Sequence, residues 1–127
     1  MTIHKKFDLT GRVAVVTGGV GLLGAEFCRT LAEAGASVAV VDLNASASQG
    51  TADALTKNGH TALAVPTDIT QPDSANAMVE KVLSEFGRLD ILVNSAGLDA
   101  KFDPDAVKKG MAPGAFEDYP LDQWNAA

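Results

Sequence analysis

The chain has 127 residues, of which 46% are hydrophobic and 20% are charged, with a formal net charge of −6. This balance predicts one folded domain and excludes a disordered chain, and its acidity argues against a nucleic-acid partner, because phosphate backbones are bound by basic surfaces. The single cysteine excludes an internal disulfide, and we expect a cytoplasmic domain because no signal peptide and no run of roughly 18 apolar residues is present.

Apolar runs alternate with amphipathic ones along the chain, and they predict four strands and three helices. Because the strands are almost continuously apolar, both faces of their sheet should be covered, which favours parallel pairing. The order β-α-β-α-β-α-β predicts an α/β fold, the first part of a Rossmann-like doubly wound parallel sheet, here truncated. Pro66 indicates that the third strand frays or lies near an edge. The predicted strands are 12–17, 37–42, 61–67 and 89–94; the predicted helices are 22–34, 45–58 and a third that Thr70 caps and Gly87 ends.

Helical spacing also predicts which side chains are buried. In the first helix the expected buried stripe is Leu23, Phe27, Leu31 and Ala34, and Cys28 is interpreted as a small buried hydrophobe rather than a nucleophile. Thr70 with Asp73 is the predicted start signal of the third helix. The expected buried stripe of that helix is Ala75, Met78, Val79, Val82, Leu83 and Phe86.

A glycine cluster, Thr-Gly-Gly-Val-Gly-Leu-Leu-Gly at residues 17–24, joins the first strand to the first helix. Such a connection presents backbone N–H groups and the positive end of a helix dipole to a pyrophosphate. In this arrangement Gly18 allows the tight turn, Gly21 lets the pyrophosphate approach the backbone, and Gly24 lets the helix pack closely. Asp42, at the end of the second strand, is placed to accept hydrogen bonds from a ribose. The alternatives are an ordinary strand–helix connection and a strand-end carboxylate without a ligand.

Four features in this order resemble the short-chain dehydrogenase/reductase superfamily: the glycine cluster, Asp42, the run Asp68-Ile-Thr, and the run Asn94-Ser-Ala-Gly. The resemblance implies an oxidoreductase that uses NAD. It places Asp68 and Ile69 beside the adenine, and residues 94–97 against the central sheet and the nicotinamide-side ribose. The implied cofactor-binding set is Gly18, Gly21, Leu22, Leu23, Gly24, Asp42, Leu43, Asp68, Ile69, Asn94, Ala96 and Gly97.

NAD is favoured over NADP because the charge of Asp42 would repel a 2′-phosphate. No arginine or lysine lies in the glycine cluster or just after Asp42 to offset that repulsion. The resemblance further implies a small-molecule alcohol or carbonyl substrate, possibly sugar-derived, and a homo-oligomer in the full-length form.

The glycine spacing departs from the common single-domain members, in which position 22 would be glycine rather than Leu22. The spacing found here resembles extended members that act on nucleotide sugars, and also a single-domain subset with a Gly-Gly-x-Gly-Leu-Leu-Gly turn. Two alternatives to the oxidoreductase therefore stand. One is a nucleotide-sugar epimerase or dehydratase, and the other is a non-catalytic dinucleotide-binding module.

The catalytic Tyr-x-x-x-Lys pair of the family is not found in the sequence. Tyr119 is the sole tyrosine, and the residue four positions later is Gln123. We therefore assign no catalytic residue, and we expect the chain to be the NAD-binding part of a longer protein whose catalytic residues follow Ala127. Residues 98–120 are predicted to be a long loop, either functional or disordered, followed by the start of a helix at Leu121. Neither histidine has metal-ligand spacing, so no metal site is predicted.

Overall fold

A computed structural model of the chain describes residues 1–97 and 121–126. The predicted alternation of strands and helices is confirmed, and most of the element ends lie within two residues of the prediction. A short helix near the N-terminus was not predicted from the sequence. The elements are α1 (Ile3–Lys6), β1 (Val13–Thr17), α2 (Leu22–Glu33), β2 (Ser37–Asp42), α3 (Ala45–Lys57), β3 (Ala62–Pro66), α4 (Pro72–Phe86), β4 (Ile91–Asn94) and α5 (Leu121–Ala126).

The four strands form one parallel sheet in the order β3-β2-β1-β4. The chain builds outward from β1 to β3 and then returns to place β4 on the other side of β1. The strand order therefore reverses at β1, and the crevice at the carboxyl ends of β1 and β4 is where such sheets bind ligands. Pro66 ends β3, which is an edge strand as the sequence predicts.

The core consists of two apolar clusters, one on each face of the sheet, which confirms that both faces are covered at β1 and β2; at β4, Leu92 is 55% exposed. Alternate residues of the strands supply the two clusters, because successive side chains point to opposite faces. One cluster packs against α4 and contains Val13, Val15, Ala39, Val41, Val65, Met78 and Val82. The other packs against α2 and α3 and contains Val16, Cys28, Ala32, Val38, Val40, Ala52 and Leu55.

The buried face of α2 agrees with the predicted stripe at Leu31, which is partly buried against the core, and differs from it in the first half of the helix. The residues of α2 that are buried are Gly24, Cys28 and Ala32, whereas Leu23 is 66% exposed and Phe27 is 40% exposed. Small side chains let the helix axis approach the sheet closely, so the face with the least side-chain volume turns inward. In α4 the expected stripe is correct at Met78 and Val82, which are buried, and wrong at Leu83, which is exposed.

The start of α4 also corrects the sequence analysis. The helix begins at Pro72 after Gln71, and no side chain caps it. Thr70 is not the cap, because the helix starts one residue too late for it and Gln71 takes the N-cap position. Thr70 instead belongs to the turn before the helix, where its N–H and hydroxyl both donate to Oδ1 of Asp68, at 3.0 and 2.6 Å. At the other end, Gly87 terminates α4 with φ +77°, as predicted.

Candidate functional site

The predicted site residues of the first of two compact units, Met1–Ala96, gather along the carboxyl edge of the sheet. Each group follows the end of one strand, so parallel pairing brings the groups to the same edge. Gly18, Gly21, Leu22, Leu23 and Gly24 follow β1, Asp42 and Leu43 lie at the end of β2, Asp68 and Ile69 follow β3, and Asn94 and Ala96 lie at the end of β4. Gly97 is exposed and begins a second compact unit, residues 97–127, of which α5 is described.

Two glycines of the turn between β1 and α2 are required by the backbone around them. Gly18 has φ +64°, and a Cβ there would lie 2.7 Å from Cα of Ala96. A Cβ on Gly24 would overlap the carbonyl oxygen of Gly18. Gly24 therefore packs α2 against the turn itself, which is a closer contact than the helix–sheet packing that the sequence predicts.

Gly21 is different, because nothing in the described chain excludes a side chain from its position. Its φ is −68°, and a Cβ would meet only the oxygen of Gly18, at an ordinary contact distance of 3.4 Å. Gly21 is also the N-cap of α2, where no side chain caps the helix and the first turn has no acidic residue. The free N–H groups and the dipole of α2 thus form a positive end that is open to an anion.

Asp42 lies against this turn. Its carboxylate accepts a hydrogen bond from the N–H of Val20 at 3.4 Å and another from the N–H of Asn44 at 3.1 Å. A carboxylate has about four acceptor positions, so room remains for further donors. The structure therefore brings together the glycine turn and the acidic residue that the sequence assigns to a ribose.

The edge beyond β2 and β3 combines exposed apolar side chains with a second acidic residue. Leu43 is 74% exposed and Ile69 is 49% exposed. The Thr70 hydroxyl, followed by the Thr70 N–H, donates to Asp68 and lowers the pKa of that carboxyl below its usual value. One oxygen of Asp68 thus holds the local turn, while the neighbouring apolar side chains can contact a flat ring.

Thr17, at the end of β1, was not singled out in the sequence analysis. It is 5% exposed, and its hydroxyl oxygen accepts hydrogen bonds from the N–H groups of Ser95 and Ala96, each at 3.2 Å. The same hydroxyl donates to the carbonyl of Val93 at 3.4 Å. Thr17 therefore holds the segment after β4 beside Gly18. A hydroxyl at the end of an otherwise apolar strand was the available signal in the sequence.

We expect Thr17→Val to lower the free energy of unfolding by about 1–3 kcal/mol, because it leaves two N–H groups without their acceptor while keeping the side-chain shape. Thr17→Ser is the matched control, since it keeps the hydroxyl, and it should lie much closer to the wild type. Urea denaturation of the three proteins measures the difference. A valine variant as stable as the wild type, or a serine variant less stable than the valine variant, would contradict this role of the hydroxyl.

Cys28 is fully buried beneath the turn, as predicted. Its Sγ lies 3.9 Å from the carbonyl oxygen of Gly19. Burial raises the pKa of the Cys28 thiol to about 11, because the thiolate would lose its hydration. The thiol is therefore a packing group at neutral pH and not a nucleophile.

Asp90 forms a separate polar cluster at the opposite, amino edge of the sheet. Its carboxylate accepts from the N–H of Val13 at 2.9 Å, from Arg88 at 2.8 and 2.6 Å, and from Arg12 at 3.3 Å. These bonds join the starts of β1 and β4. The Arg88 hydrogen bonds are the largest cause, and the Val13 N–H the next, of a pKa held well below the usual range for Asp90.

A lowered pKa in the folded protein means that the contribution of Asp90 to stability is present above its unfolded pKa of about 3.9 and is lost as pH falls further. We expect the melting temperature of the wild type to fall between pH 5 and pH 3, taken as rough limits around that value. Asp90→Asn should start lower at pH 5 and fall less steeply. Parallel pH profiles for the two proteins would contradict this assignment.

The predicted loop 98–120, with Tyr119, lies outside the described residues. Among residues 1–97 and 121–126, no helix is long and apolar enough to cross a bilayer. Within the same residues, no group of three or more histidine, cysteine, aspartate or glutamate side chains could hold a metal ion.

The known proteins that this chain resembles include dehydrogenases. A family model described as short chain dehydrogenase matches residues 12–126. A cis-4-hydroxycyclohexanecarboxylate dehydrogenase from Sinomonas cyclohexanicum is 47% identical over 87 residues, which cover 68% of this chain and 34% of that protein. A 7alpha-hydroxysteroid dehydrogenase from Escherichia coli K12 is 40% identical over 89 residues, which cover 70% of this chain and 35% of that protein. The chain thus spans about a third of the length of these relatives.

Solved structures agree with the sequence relatives. A short-chain type dehydrogenase/reductase from Mycobacterium marinum superposes with a TM-score of 0.81 at 33% identity, covering 98% of this chain and 46% of that one. A 7α-hydroxysteroid dehydrogenase in complex with NADH and 7-oxo glycochenodeoxycholic acid gives a TM-score of 0.79 at 34% identity, covering 100% and 45%.

Proposed function

Because this chain belongs to the short-chain dehydrogenase family, we propose that it forms the NAD-binding part of an oxidoreductase. The observation that carries this proposal is the position of Asp42. Its carboxylate lies against an uncapped glycine turn, within hydrogen-bonding distance of the Val20 N–H. A dinucleotide offers a ribose diol to the carboxylate and a pyrophosphate to the turn.

The residues of the site fit such a cofactor. In this proposal the N–H groups at the start of α2, with open space beside Gly21, hold the pyrophosphate. Asp42 accepts hydrogen bonds from the ribose, and its charge disfavours the 2′-phosphate of NADP. Leu43 and Ile69 contact the adenine. The nicotinamide end extends toward Asn94, Ala96 and Gly97, and NAD when bound supplies the hydride-accepting chemistry.

The names of the relatives support a proposal for the class of substrate. The two dehydrogenases described above are named for ring alcohols, one a hydroxycyclohexanecarboxylate and the other a hydroxysteroid. These names support a small-molecule alcohol or carbonyl compound as the substrate of the whole protein. They do not favour the nucleotide-sugar epimerase or dehydratase alternative. We further propose that the full-length form acts as a homo-oligomer in the cytoplasm.

Titration calorimetry with NADH and NADPH tests the proposal. We expect NADH to bind at least about tenfold more tightly than NADPH, which corresponds to about 1.4 kcal/mol of charge repulsion at Asp42. Equal affinities, or no binding of NADH, would contradict it. Binding without turnover of any alcohol or carbonyl compound by the full-length protein would instead support the non-catalytic dinucleotide-binding module.

A further inference from the structure

Gly19 of the turn packs against buried side chains, whereas Gly18 and Gly24 pack against backbone. A Cβ on Gly19 would lie 2.8 Å from Cγ1 of Val40, 3.1 Å from the carbonyl oxygen of Val16 and 3.4 Å from Sγ of Cys28. Its φ is not positive, so packing alone, not backbone conformation, excludes a side chain there. We call the Val40 and Cys28 side chains the platform beneath Gly19; both are fully buried.

The turn that rests on this platform is also tied to the end of β2. The N–H of Gly19 donates to the carbonyl of Val41 at 3.0 Å, and the N–H of Val20 donates to the carboxylate of Asp42 at 3.4 Å. Val40 and Asp42 belong to the same strand. One strand thus supports the turn from below and carries the acidic residue beside it, so the platform determines how far the turn lies from that residue.

We propose that the platform of Val40 and Cys28 positions the glycine turn relative to Asp42, which makes both positioning residues for the dinucleotide although neither contacts it. This inference rests on the proposed NAD-binding function. A buried valine has a stiff χ1 in a close-packed core. A side chain added at Gly19 would therefore displace the turn rather than Val40, and the N–H groups that face the pyrophosphate would move while β2 stays in place.

The test compares Gly19→Ala with the double variant Gly19→Ala/Val40→Ala in the full protein. We expect Gly19→Ala to weaken NADH binding by about tenfold, because a misplacement of about 1 Å can cost as much as about 100-fold and the shift needed here is smaller. Val40→Ala removes the methyl group nearest to the new side chain, so the double variant should recover most of the affinity. ADP-ribose, which contains the pyrophosphate, should lose the same factor as NADH, whereas adenosine should keep its affinity.

Val82→Ala is the control for a general loss of stability, since Val82 is a fully buried valine in the other cluster. It should lower the melting temperature and leave NADH affinity unchanged. If Gly19→Ala does not fold, Val40→Ala alone replaces it, and it should bind NADH more weakly than Val82→Ala does.

The inference is overturned if Gly19→Ala binds NADH like the wild type, or if the double variant binds no better than Gly19→Ala. Equal NADH affinities of Val40→Ala and Val82→Ala overturn it as well. A wild-type protein that does not bind NADH refutes the proposed function and this inference with it, so the two failures are distinguishable.

Discussion

Gly24→Ala is expected to abolish the native fold, with a loss of more than about 3 kcal/mol, beyond the usual range for overpacking. The added Cβ would overlap the carbonyl oxygen of Gly18, and neither atom can rotate away, because the Cβ is fixed directly to the main chain and the carbonyl is part of it. Relief requires α2 to move off the turn, which would open the cluster around Cys28. Circular dichroism and thermal unfolding measure the effect.

Gly21→Ala is the matched control three residues earlier in the same turn. The backbone of Gly21 suits alanine, and the new methyl group would touch the chain only at the oxygen of Gly18. Its melting temperature should stay close to that of the wild type, because the lower entropy of the unfolded chain with alanine offsets the poorer fit of alanine to an N-cap position. Its NADH affinity should fall, since the methyl group occupies the proposed pyrophosphate path. Similar melting temperatures for Gly24→Ala and Gly21→Ala would refute the steric assignment.

Asp42→Asn is the substitution with the largest expected effect on cofactor choice. Asparagine keeps an oxygen that can accept from the N–H of Val20, so the turn should hold its position. The charge is lost, and with it hydrogen bonds to a charged acceptor worth about 1.5–3 kcal/mol. We expect NADH affinity to fall roughly 10- to 100-fold. NADPH affinity should stay the same or rise, because the 2′-phosphate is no longer repelled.

Asp53→Asn controls for the change in net charge. Asp53 lies on the exposed side of α3, where it accepts a hydrogen bond from Gln49 at 2.8 Å. The same change of one unit of charge there should leave the NADH-to-NADPH ratio as in the wild type. If Asp42→Asn and Asp53→Asn shift the ratio equally, net charge and not the site selects the cofactor.

Much of the fold follows from local pattern. Between residues 12 and 94, the period of the apolar residues predicts the four strands and three helices. The position of Pro66 predicts that the third strand lies near an edge of the sheet. The motifs also place the acidic residue and the glycine turn on neighbouring strand ends, since parallel strands share a carboxyl edge. Helix faces were less predictable. Leu23 and Phe27 have the expected spacing, yet Gly24 and Cys28 are the residues that face the sheet.

Two polar residues that hold the sheet together were also not predicted from the sequence. Thr17 and Asp90 each form hydrogen bonds between β1 and the chain around β4. The main-chain N–H groups that they accept from lie 77 to 79 positions away in the sequence. The local sequence shows a hydroxyl at the end of an apolar strand and an aspartate before another strand, but it does not show which distant groups they bind. Those groups become adjacent only when β4 returns to the other side of β1.

The sequence by itself determined the class of fold, the family and the residues at the carboxyl edge, because those depend on periodicity and on short motifs. Only the tertiary structure decided what each glycine does. Gly18 is required by the segment after β4, Gly19 by a side chain of β2, and Gly24 by the turn itself. No described atom requires Gly21. Steric exclusion depends on which surfaces are packed together, and packing is a property of the folded chain.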